Sequence, residues 1–246
     1  MNRNLDFSGA DVMFEITRFC NMACPHCVRG DIQRKRIKKE YINSALENLK
    51  YIGTLSVTGG EPALAPDLID YIRDACQHYG VDVGDFWMAT NGTITSKRFF
   101  DALHDMYVFC SSHDISGFRV SVDNYHENID IYPFHNFFEN LEYELGTKVY
   151  LEKIGAPDDS SLLISDGRAP ENYYTTREVK HELRLLDDNR LEGTIYINAN
   201  GYIISTCDIS YNKMDNDKDF TVGHVSENWQ EIFNRFFDAH PDLIYK

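Results

Sequence analysis

Three cysteines crowd into one short segment at the spacing C-x3-C-x2-C. Cys20, Cys24 and Cys27 come directly after residues 11–17, whose pattern predicts a β-strand. Three thiolates this close can bind three irons of a cubane cluster from a single loop, which leaves the fourth iron without a protein ligand. An open coordination position is a reaction site, as it is in catalytic zinc centres. A zinc knuckle, or a cluster with a remote fourth cysteine, is the alternative interpretation.

A second segment suited to ligand binding follows the next predicted strand. Residues 55–58, which include Thr58, form that strand, and Gly59, Gly60 and Glu61 come directly after it. Two glycines let the backbone approach a ligand closely, and the carboxylate of Glu61 can accept a charge-assisted hydrogen bond. A simple tight turn is the alternative for such a segment by itself.

The elements that must position these segments alternate along the chain, which predicts βα units around a parallel sheet. Predicted strands cover 11–17, 55–58, 84–90, 117–123, 148–154 and 161–165. Predicted helices cover 38–50, 66–79, 95–106 and 133–145. Up to six such units favour an α/β fold with a partial (β/α)6 TIM-like barrel, because a full eightfold barrel typically needs about 250 residues.

The pattern changes beyond residue 170, where we expect a small C-terminal β-hairpin and helix. Residues 194–206 predict the hairpin and 226–239 the closing helix. We therefore divide the chain into a barrel, 1–170, and a C-terminal extension, 171–246.

The composition limits the functions and the location of the protein. The formal net charge of −15 argues against broad nucleic-acid binding, which needs a positive surface. No segment resembles a signal peptide or an apolar membrane span. The cysteines are not spaced like a disulfide framework. The spacing of three of them favours a metal site in a reducing compartment. We therefore expect a cytoplasmic protein with no membrane partner.

Together, the cysteine loop and the Gly-Gly-Glu segment resemble the radical S-adenosylmethionine (SAM) superfamily. The resemblance implies a [4Fe–4S] cluster on Cys20, Cys24 and Cys27, whose open iron is chelated by the amino and carboxylate groups of SAM. An electron from the cluster then cleaves SAM to methionine and a 5′-deoxyadenosyl radical, which abstracts hydrogen from a substrate. In this family the Gly-Gly-Glu segment binds the methionyl amino group, and the position of His26 lies near the adenine.

Further SAM-binding positions are carried over from the same resemblance. Asn91 stands in a Thr-Asn-Gly segment similar to one frequent in the family, although it also suits a plain turn. Arg119, Ser121 and Asp123 alternate with apolar residues, so they share the strand face that is turned to the barrel lumen. Ser121 and Asp123 match family positions that contact the ribose or carboxylate of SAM; a surface edge strand is the alternative. Arg168, in a Gly-Arg-Ala segment, is expected to pair with the SAM carboxylate or to cap the barrel rim.

The C-terminal extension resembles a reduced SPASM or twitch domain. Those domains bind auxiliary iron–sulfur clusters with several cysteines, whereas this extension has only Cys207, so we expect no auxiliary cluster. Cys207 is either structural or a substrate-facing hydrogen donor. We expect Cys76 and Cys110 in the core. The histidines other than His26 show no metal-ligand spacing along the chain.

Several functions remain open at this point. The first is modification of a peptide or protein side chain by a radical SAM enzyme, with recognition supplied by a partner because only about ten residues precede the first strand. The second is modification of a small molecule such as a nucleotide or cofactor precursor. Activation of a glycyl radical enzyme is a third, but such activases usually carry Asp-x-Lys on the fourth strand. A degenerate, non-catalytic iron–sulfur or zinc module is the alternative outside enzymes.

The basic residues at 34–39 raise the question of the reductant. Five of the six residues in this run are Lys or Arg, which predicts a solvated helix entrance. Because the run closely follows the cysteine loop, a docking surface for an acidic electron donor such as flavodoxin or ferredoxin is the alternative interpretation.

Overall fold

The computed structural model describes residues 3–123, 126, 129–155 and 160–245, and these form a mixed α/β fold around one large sheet. The strands in chain order are β1 (Ala10–Thr17), β2 (Tyr51–Gly59), β3 (Asp82–Thr90), β4 (Gly117–Ser121), β5 (Tyr150–Ile154), β6 (Arg184–Leu185), β7 (Leu191–Glu192), β8 (Thr194–Ile197), β9 (Tyr202–Ile204) and β10 (Thr221–His224). The α-helices are α1 (Lys39–Leu46), α2 (Pro66–Tyr79), α3 (Lys97–Phe109), α4 (Tyr132–Leu145), α5 (Ala169–Asn172), α6 (Tyr211–Asn216) and α7 (Trp229–Ala239).

The first five strands are parallel neighbours in chain order, and helices α1 to α4 connect them. Each helix buries one apolar stripe, as its periodicity predicts; Leu68, Ile69 and Ile72 of α2 are at most 3% exposed. This confirms the βα alternation. Parallel strands bring their carboxyl ends to one edge of the sheet, so the segments that follow β1 to β4 meet there.

The sixth strand predicted at 161–165 is wrong. Ser160–Leu162 form a 3-10 helix, and Ile164 makes only an isolated bridge with Arg177. The backbone N–H of Leu163 donates to Ser160 O at 3.1 Å, as in a turn. Because this turn uses the backbone N–H of Leu163 locally, that group is not available for pairing with a neighbouring strand. Among the described residues, the βα region therefore contributes five parallel strands.

Two other predicted elements end earlier than expected. Helix α1 stops at Leu46 instead of residue 50, because the chain must turn to enter β2 at Tyr51. Strand β4 stops at Ser121 instead of residue 123. Asp123 leaves the sheet and accepts a hydrogen bond from the backbone N–H of His126 at 3.0 Å.

The predicted C-terminal hairpin is confirmed, and it joins the same sheet as the barrel strands. Strand β8 pairs parallel with β1 and antiparallel with β9, and β10 continues the sheet beyond β9. The full order is β10-β9-β8-β1-β2-β3-β4-β5. Strand β1 therefore lies inside the sheet, with β2 on one side and β8 on the other.

Helix α7 closes the fold with an aromatic face. Trp229 and Phe233 are at most 1% exposed and contact the ring of Phe7, with ring centroids 5.4 and 5.1 Å away. This contact ties the N-terminal segment to the predicted closing helix. None of the helices in the described part of the chain is long and apolar enough to cross a membrane.

Candidate functional site

The cysteine loop begins where β1 ends, and the end of β2 holds it in place. The backbone N–H of Gly60 donates to Thr17 O at 2.8 Å, and that of Glu61 donates to Phe19 O at 2.9 Å. These bonds continue the pairing of the two strands beyond the sheet. They fix the direction in which the loop 20–27 leaves its strand.

The three thiols of this loop line one cavity and lie close enough to influence one another electrostatically. Burial, and after it the neighbouring Cys27 and Cys20, raises the pKa of Cys24 to about 11. Burial also raises the pKa of Cys20. Three thiolates here repel each other unless a cation lies between them, so the loop suits a bound metal.

The remaining cysteines do not face this cavity. Cys76 and Cys110 are buried in the hydrophobic core, as predicted, and burial raises the pKa of each to about 12. Cys207 is half-buried, and its backbone N–H donates to Glu182 at 2.9 Å. In the described part of the chain three thiols therefore line the cavity, and a cubane bound to them keeps one iron without a cysteine ligand.

The two glycines after β2 allow its backbone to press against the cysteine loop. A Cβ atom on Gly59 would lie 2.0 Å from Thr17 O, and one on Gly60 would lie 2.4 Å from Phe19 O. Neither position has room for a side chain. Thr58 and Gly60 line the cavity, whereas Gly59 lies against the backbone of β1.

The carboxylate of Glu61 is buried and already holds three protein donors. Oε1 accepts from the backbone N–H of Ala63 at 2.9 Å and from the hydroxyl of Thr90 at 2.7 Å. Oε2 accepts from the backbone N–H of Asn91 at 2.7 Å. Burial raises the pKa of Glu61, and these bonds oppose the shift. A carboxylate has about four acceptor positions, so one is left for a ligand donor.

Asn91 links the loop after β3 to the cysteine loop. Its Nδ2 donates to Asn21 Oδ1 at 2.9 Å and lies 3.8 Å from the sulfur of Cys20. Its Oδ1 accepts from the backbone N–H of Thr93 at 3.0 Å. The Thr-Asn-Gly segment thus forms a turn and also contacts the metal-binding loop.

The polar side chains on one face of β4 lie partly in the cavity and partly at the surface. Ser121 and Asp123 line the cavity, as the alternation predicts. Arg119 does not; its side chain is 43% exposed, pairs with Glu152 at 2.8 Å and stacks on Trp87. No sixth strand lies beside β5 in the part of the chain that the structure describes, and the side chain of Arg119 there remains hydrated.

Two histidines flank the thiols. His26 lines the cavity, and burial lowers its pKa. His126, which the sequence did not single out, bonds Asp123 at 2.8 Å through Nδ1, and its Nε2 lies 3.6 Å from the sulfur of Cys24. The two rings meet edge to face with centroids 5.9 Å apart. Asp123 thus acts on the cysteine loop through His126.

Arg168 contacts the cysteine loop instead of an open anion site. Its Nε and Nη2 both donate to Gly30 O, at 3.0 and 2.6 Å, and its backbone N–H donates to Cys27 O at 3.0 Å. A Cβ atom on Gly167 would lie 2.3 Å from Val28 O. The Gly-Arg-Ala segment therefore holds the end of the loop, and Arg168 also lines the cavity.

A buried ionic network supports the start of the loop. Glu15 and Arg18 are both fully buried and pair at 2.6 Å. Arg18 also pairs with Asp215 at 2.7 Å, and the hydroxyl of Tyr196 donates to Glu15 at 2.7 Å. Residues of β1 and of the C-terminal region thereby form one network beside the cysteines.

The C-terminal region also supplies a wall of the cavity. Tyr211 is 2% exposed, and its hydroxyl has no hydrogen-bond partner among the described residues. Burial raises its pKa, and the charges of Glu15 and Cys27 act on it in the same direction. Arg29 also lines the cavity, and it donates to Ile209 O at 3.0 Å.

The cavity formed by these groups has a volume of about 410 Å³. The residues predicted as SAM or cluster contacts that line it are Cys20, Cys24, His26, Cys27, Thr58, Gly60, Glu61, Asn91, Ser121, Asp123 and Arg168. Such a volume is within the range of small-ligand sites.

Comparison with known proteins identifies the family. The model of the Radical SAM superfamily matches residues 14–155, more than half of the chain. The chain belongs to the radical SAM superfamily. The protein is therefore an enzyme whose family uses a [4Fe–4S] cluster and SAM. No curated protein matches the sequence.

A solved structure shows the same fold at low sequence identity. The structure of native anSMEcpe with bound AdoMet and Cp18Cys peptide is 9% identical, with a TM-score of 0.56 over 95% of this chain and 82% of that chain. SuiB of Streptococcus suis bound to its precursor peptide SuiA is 15% identical, with a TM-score of 0.43 over 64% of this chain and 35% of that chain.

The residues present fit the cofactors of a radical SAM enzyme. Three mutually close thiols supply the donor set for a cubane with one open iron. The remaining acceptor position of Glu61 and the unpartnered hydroxyl of Tyr211 lie on the same cavity. Polar groups buried in this way are satisfied when a polar ligand binds.

The sequence reasoning missed the groups that reach the site from other elements. His126 stands three residues after Asp123. This spacing could have indicated the contact, because it lets two side chains meet across a turn. Arg18 stands directly after β1 and shortly before the first cysteine. A charged side chain that is buried at the end of a strand needs a partner. Tyr211 carried no signal, since nothing in the spacing connects α6 with the cysteine loop.

Proposed function

We propose that this enzyme cleaves SAM reductively at a [4Fe–4S] cluster on Cys20, Cys24 and Cys27, and that it acts on a peptide or protein side chain. The observation that carries the proposal is the shared cavity, in which the three thiols face the ends of β2, β3 and β4. These are the segments that the superfamily resemblance assigns to SAM.

The bound cofactors would supply the electron and the hydrogen-abstracting radical, and the protein groups would position them. We assign the SAM amino group to the backbone at Thr58, Gly59 and Gly60 and to the remaining acceptor position of Glu61. Three bonds from the protein hold that carboxylate in place, so it needs no reorganisation when the ligand binds.

The other end of SAM is assigned to the opposite wall. We place the ribose or carboxylate near Ser121 and Asp123, and the adenine near His26. Asn91 would act by orienting Cys20 and its loop, since its side chain already contacts both. Arg168 lines the cavity while it holds Gly30, so it would combine a rim contact with support of the cysteine loop.

The size and rim of the cavity support a peptide substrate. A volume of about 410 Å³ leaves little space for a second whole molecule beside SAM, whereas a single side chain can enter from the rim. Ile32 and Leu162 line the cavity and are 40% and 57% exposed, so the rim offers apolar surface to a longer substrate. The solved structure of anSMEcpe also contains a bound peptide, Cp18Cys.

We further propose that an acidic flavodoxin or ferredoxin docks on the basic run 34–39. Arg34, Lys38 and Lys39 are exposed. The run lies beside the cysteine loop, because the backbone N–H of Arg18 donates to Lys35 O at 2.9 Å. Opposite charge on a partner steers its encounter with such a surface.

The free thiols of all six cysteines suit a reducing compartment, and we place the enzyme in the cytoplasm. We also propose that residues 171–246 form a C-terminal extension similar to a reduced SPASM or twitch domain, although its hairpin joins the same sheet as the barrel strands.

SAM cleavage is tested by anaerobic reconstitution, iron counting and detection of 5′-deoxyadenosine after reduction. We expect about four irons per chain and nucleoside release for the wild type. The Cys24→Ala variant loses both, and the matched Cys207→Ala variant keeps both. Stoichiometric zinc without nucleoside release would contradict the proposal.

The substrate class is tested by hydrogen transfer. The reduced holoenzyme is incubated with SAM and either a peptide digest of a fully deuterated proteome or the low-molecular-mass extract of the same cells. We expect deuterium in 5′-deoxyadenosine with the peptide digest. Transfer from the small-molecule extract alone would show that the peptide assignment is wrong and leave SAM cleavage standing.

A further inference from the structure

We propose that His181, Asp219 and His240 form a second metal site, which binds a divalent first-row transition ion of the zinc class outside the cysteine cavity. One ligand atom from each residue lies within 4.8 Å of the others. None of the three lines the cavity of the cysteine loop.

The distances suit a single ion. His181 Nε2 lies 3.4 Å from one oxygen of Asp219, and His240 Nε2 lies 3.8 Å from the other. Nitrogen and oxygen ligands at about 2.0–2.2 Å from a tetrahedral ion are roughly 3.4 Å apart. The three ligand atoms lie up to 4.8 Å apart, so binding one ion requires a closing movement of up to about 1.4 Å.

The ring of His181 is oriented by its neighbours as a metal ligand usually is. Its Nδ1 bonds the hydroxyl of Ser205 at 2.7 Å, which turns Nε2 towards Asp219. Metal-bound histidines typically bond a second group through their other nitrogen. Phe220 packs on the same ring, with centroids 4.7 Å apart.

The ring of His240 is also packed against its neighbours. It packs on Phe236 and on His181, with centroids 4.5 and 4.8 Å away. The side chains of His181 and His240 are only 16% and 18% exposed, so both rings are held in place by packing.

The ligand set indicates the kind of ion. Two imidazoles and one carboxylate suit zinc and its first-row neighbours, whereas calcium and magnesium prefer oxygen ligands alone. The side chain of Asp219 is 60% exposed, which leaves room for a water ligand. The carboxylate of Asp242 lies near enough to act on His181 and adds negative charge for a cation.

The ion would cross-link three segments of the C-terminal region. His181 precedes β6, Asp219 precedes β10, and His240 caps the C-terminus of α7. Because these residues are far apart along the chain, their spacing did not indicate a metal site. A bound ion would fasten the closing helix to the edge of the sheet.

The test uses holoenzyme whose cluster already occupies the thiols. It is given one equivalent of Zn²⁺, desalted, and examined by metal counting and by X-ray absorption at the zinc edge. We expect one retained zinc with nitrogen and oxygen ligands at about 2.0–2.2 Å. No retained zinc, or sulfur ligands at about 2.3 Å, would overturn the proposal.

Matched variants make the assignment specific. Asp219→Asn and His240→Gln are expected to lose the zinc, while Asp187→Asn and His135→Gln, exposed residues of the same types, keep it. Ser205→Ala is expected to weaken zinc affinity about tenfold, the usual effect of removing a supporting bond. Equal retention by Asp219→Asn and the wild type would contradict the site.

Thermal unfolding separates binding from misfolding. Zinc is expected to raise the Tm of the wild type and of Asp187→Asn but not that of Asp219→Asn, whose Tm without zinc equals the wild-type value. SAM cleavage is not part of any of these readouts, so failure of the proposed radical chemistry would leave the zinc result standing.

Discussion

Tyr211 combines a buried ring with a hydroxyl that finds no partner in the described part of the chain. An unpaired hydroxyl in such a place costs free energy unless a ligand satisfies it. The ring makes a contact of its own, because Cζ of the Arg18 guanidinium lies 4.6 Å from the ring centroid. The hydroxyl and the ring of this residue therefore have separate roles.

Replacing Tyr211 with Phe should separate these roles. We expect the free energy of unfolding of the cluster-free protein to stay equal or rise, because a buried unpaired hydroxyl is removed. We expect formation of 5′-deoxyadenosine at limiting SAM or substrate to fall about tenfold, the effect of losing one ligand hydrogen bond. Urea denaturation and nucleoside assays measure the two quantities.

The control for this variant is Tyr143→Phe, on a residue that is 92% exposed on α4. It is expected to change neither quantity. If Tyr211→Phe lowered stability and left nucleoside formation intact, the hydroxyl would have a structural role only.

At the scale of elements, the basic run is an extended segment that leads into helix α1, as the predicted helix entrance requires. Arg36 bridges antiparallel to Thr17, and the backbone N–H of Ile37 donates to Ile16 O at 3.1 Å. Helix α1 starts only at Lys39. Side chains of an extended segment alternate, so Ile37 is buried while Arg36 and Lys38 stay exposed.

Charge reversal in this segment tests electron-donor docking. The double variant Arg34→Glu, Lys38→Glu spares Arg36, which pairs with Asp67. We expect its reduction by flavodoxin to slow about tenfold at low salt, because long-range attraction is lost, and reduction by dithionite to be unchanged. Stopped-flow bleaching of the cluster absorbance measures both rates.

The matched control reverses two exposed lysines far from the run, Lys50 and Lys148. This control variant changes the net charge by the same amount, and its cluster is expected to be reduced by flavodoxin at the wild-type rate. Equal slowing in both double variants would show that total charge matters and that the run is not a docking surface.

At the scale of the whole molecule, the ionic network of Glu15 and Arg18 joins the barrel to the C-terminal region. The backbone N–H of Ala199 donates to Glu15 at 2.9 Å, and Asp215 accepts from Arg18. Both charges of the central pair are fully buried. Removing one of them leaves the other without compensation in a medium of low dielectric constant.

We expect Arg18→Met to lower the free energy of unfolding by about 3–5 kcal/mol, a large part of a typical total stability. The double variant Glu15→Gln, Arg18→Met is expected to lose less than the sum of the single variants, because no unpaired charge remains. Urea denaturation of the cluster-free protein measures these values.

Lys97→Met provides the comparison, because Lys97 forms an exposed pair with Asp101. Its effect is expected to stay within about 1 kcal/mol, as for other surface pairs. An equally small effect of Arg18→Met would mean that the buried pair contributes no more than a surface pair.

The sequence by itself determined the metal-binding loop, the βα alternation and the polar ends of the strands. These features are local: C-x3-C-x2-C places three thiols on one loop, and helix and strand periodicities are set within a few residues. They were enough to predict which segments meet at the cavity, because the carboxyl ends of parallel strands share one edge.

Only the tertiary structure decided what those residues are bonded to. Glu61 has most of its acceptor positions filled by the protein, Arg168 holds a backbone carbonyl, and Tyr211 reaches the cavity from a distant helix. Residues 161–165 had a strand-like composition, yet the backbone forms a local 3-10 turn there and stays out of the sheet. Contacts between residues far apart in the chain depend on packing, and no local pattern records which partner packs against which.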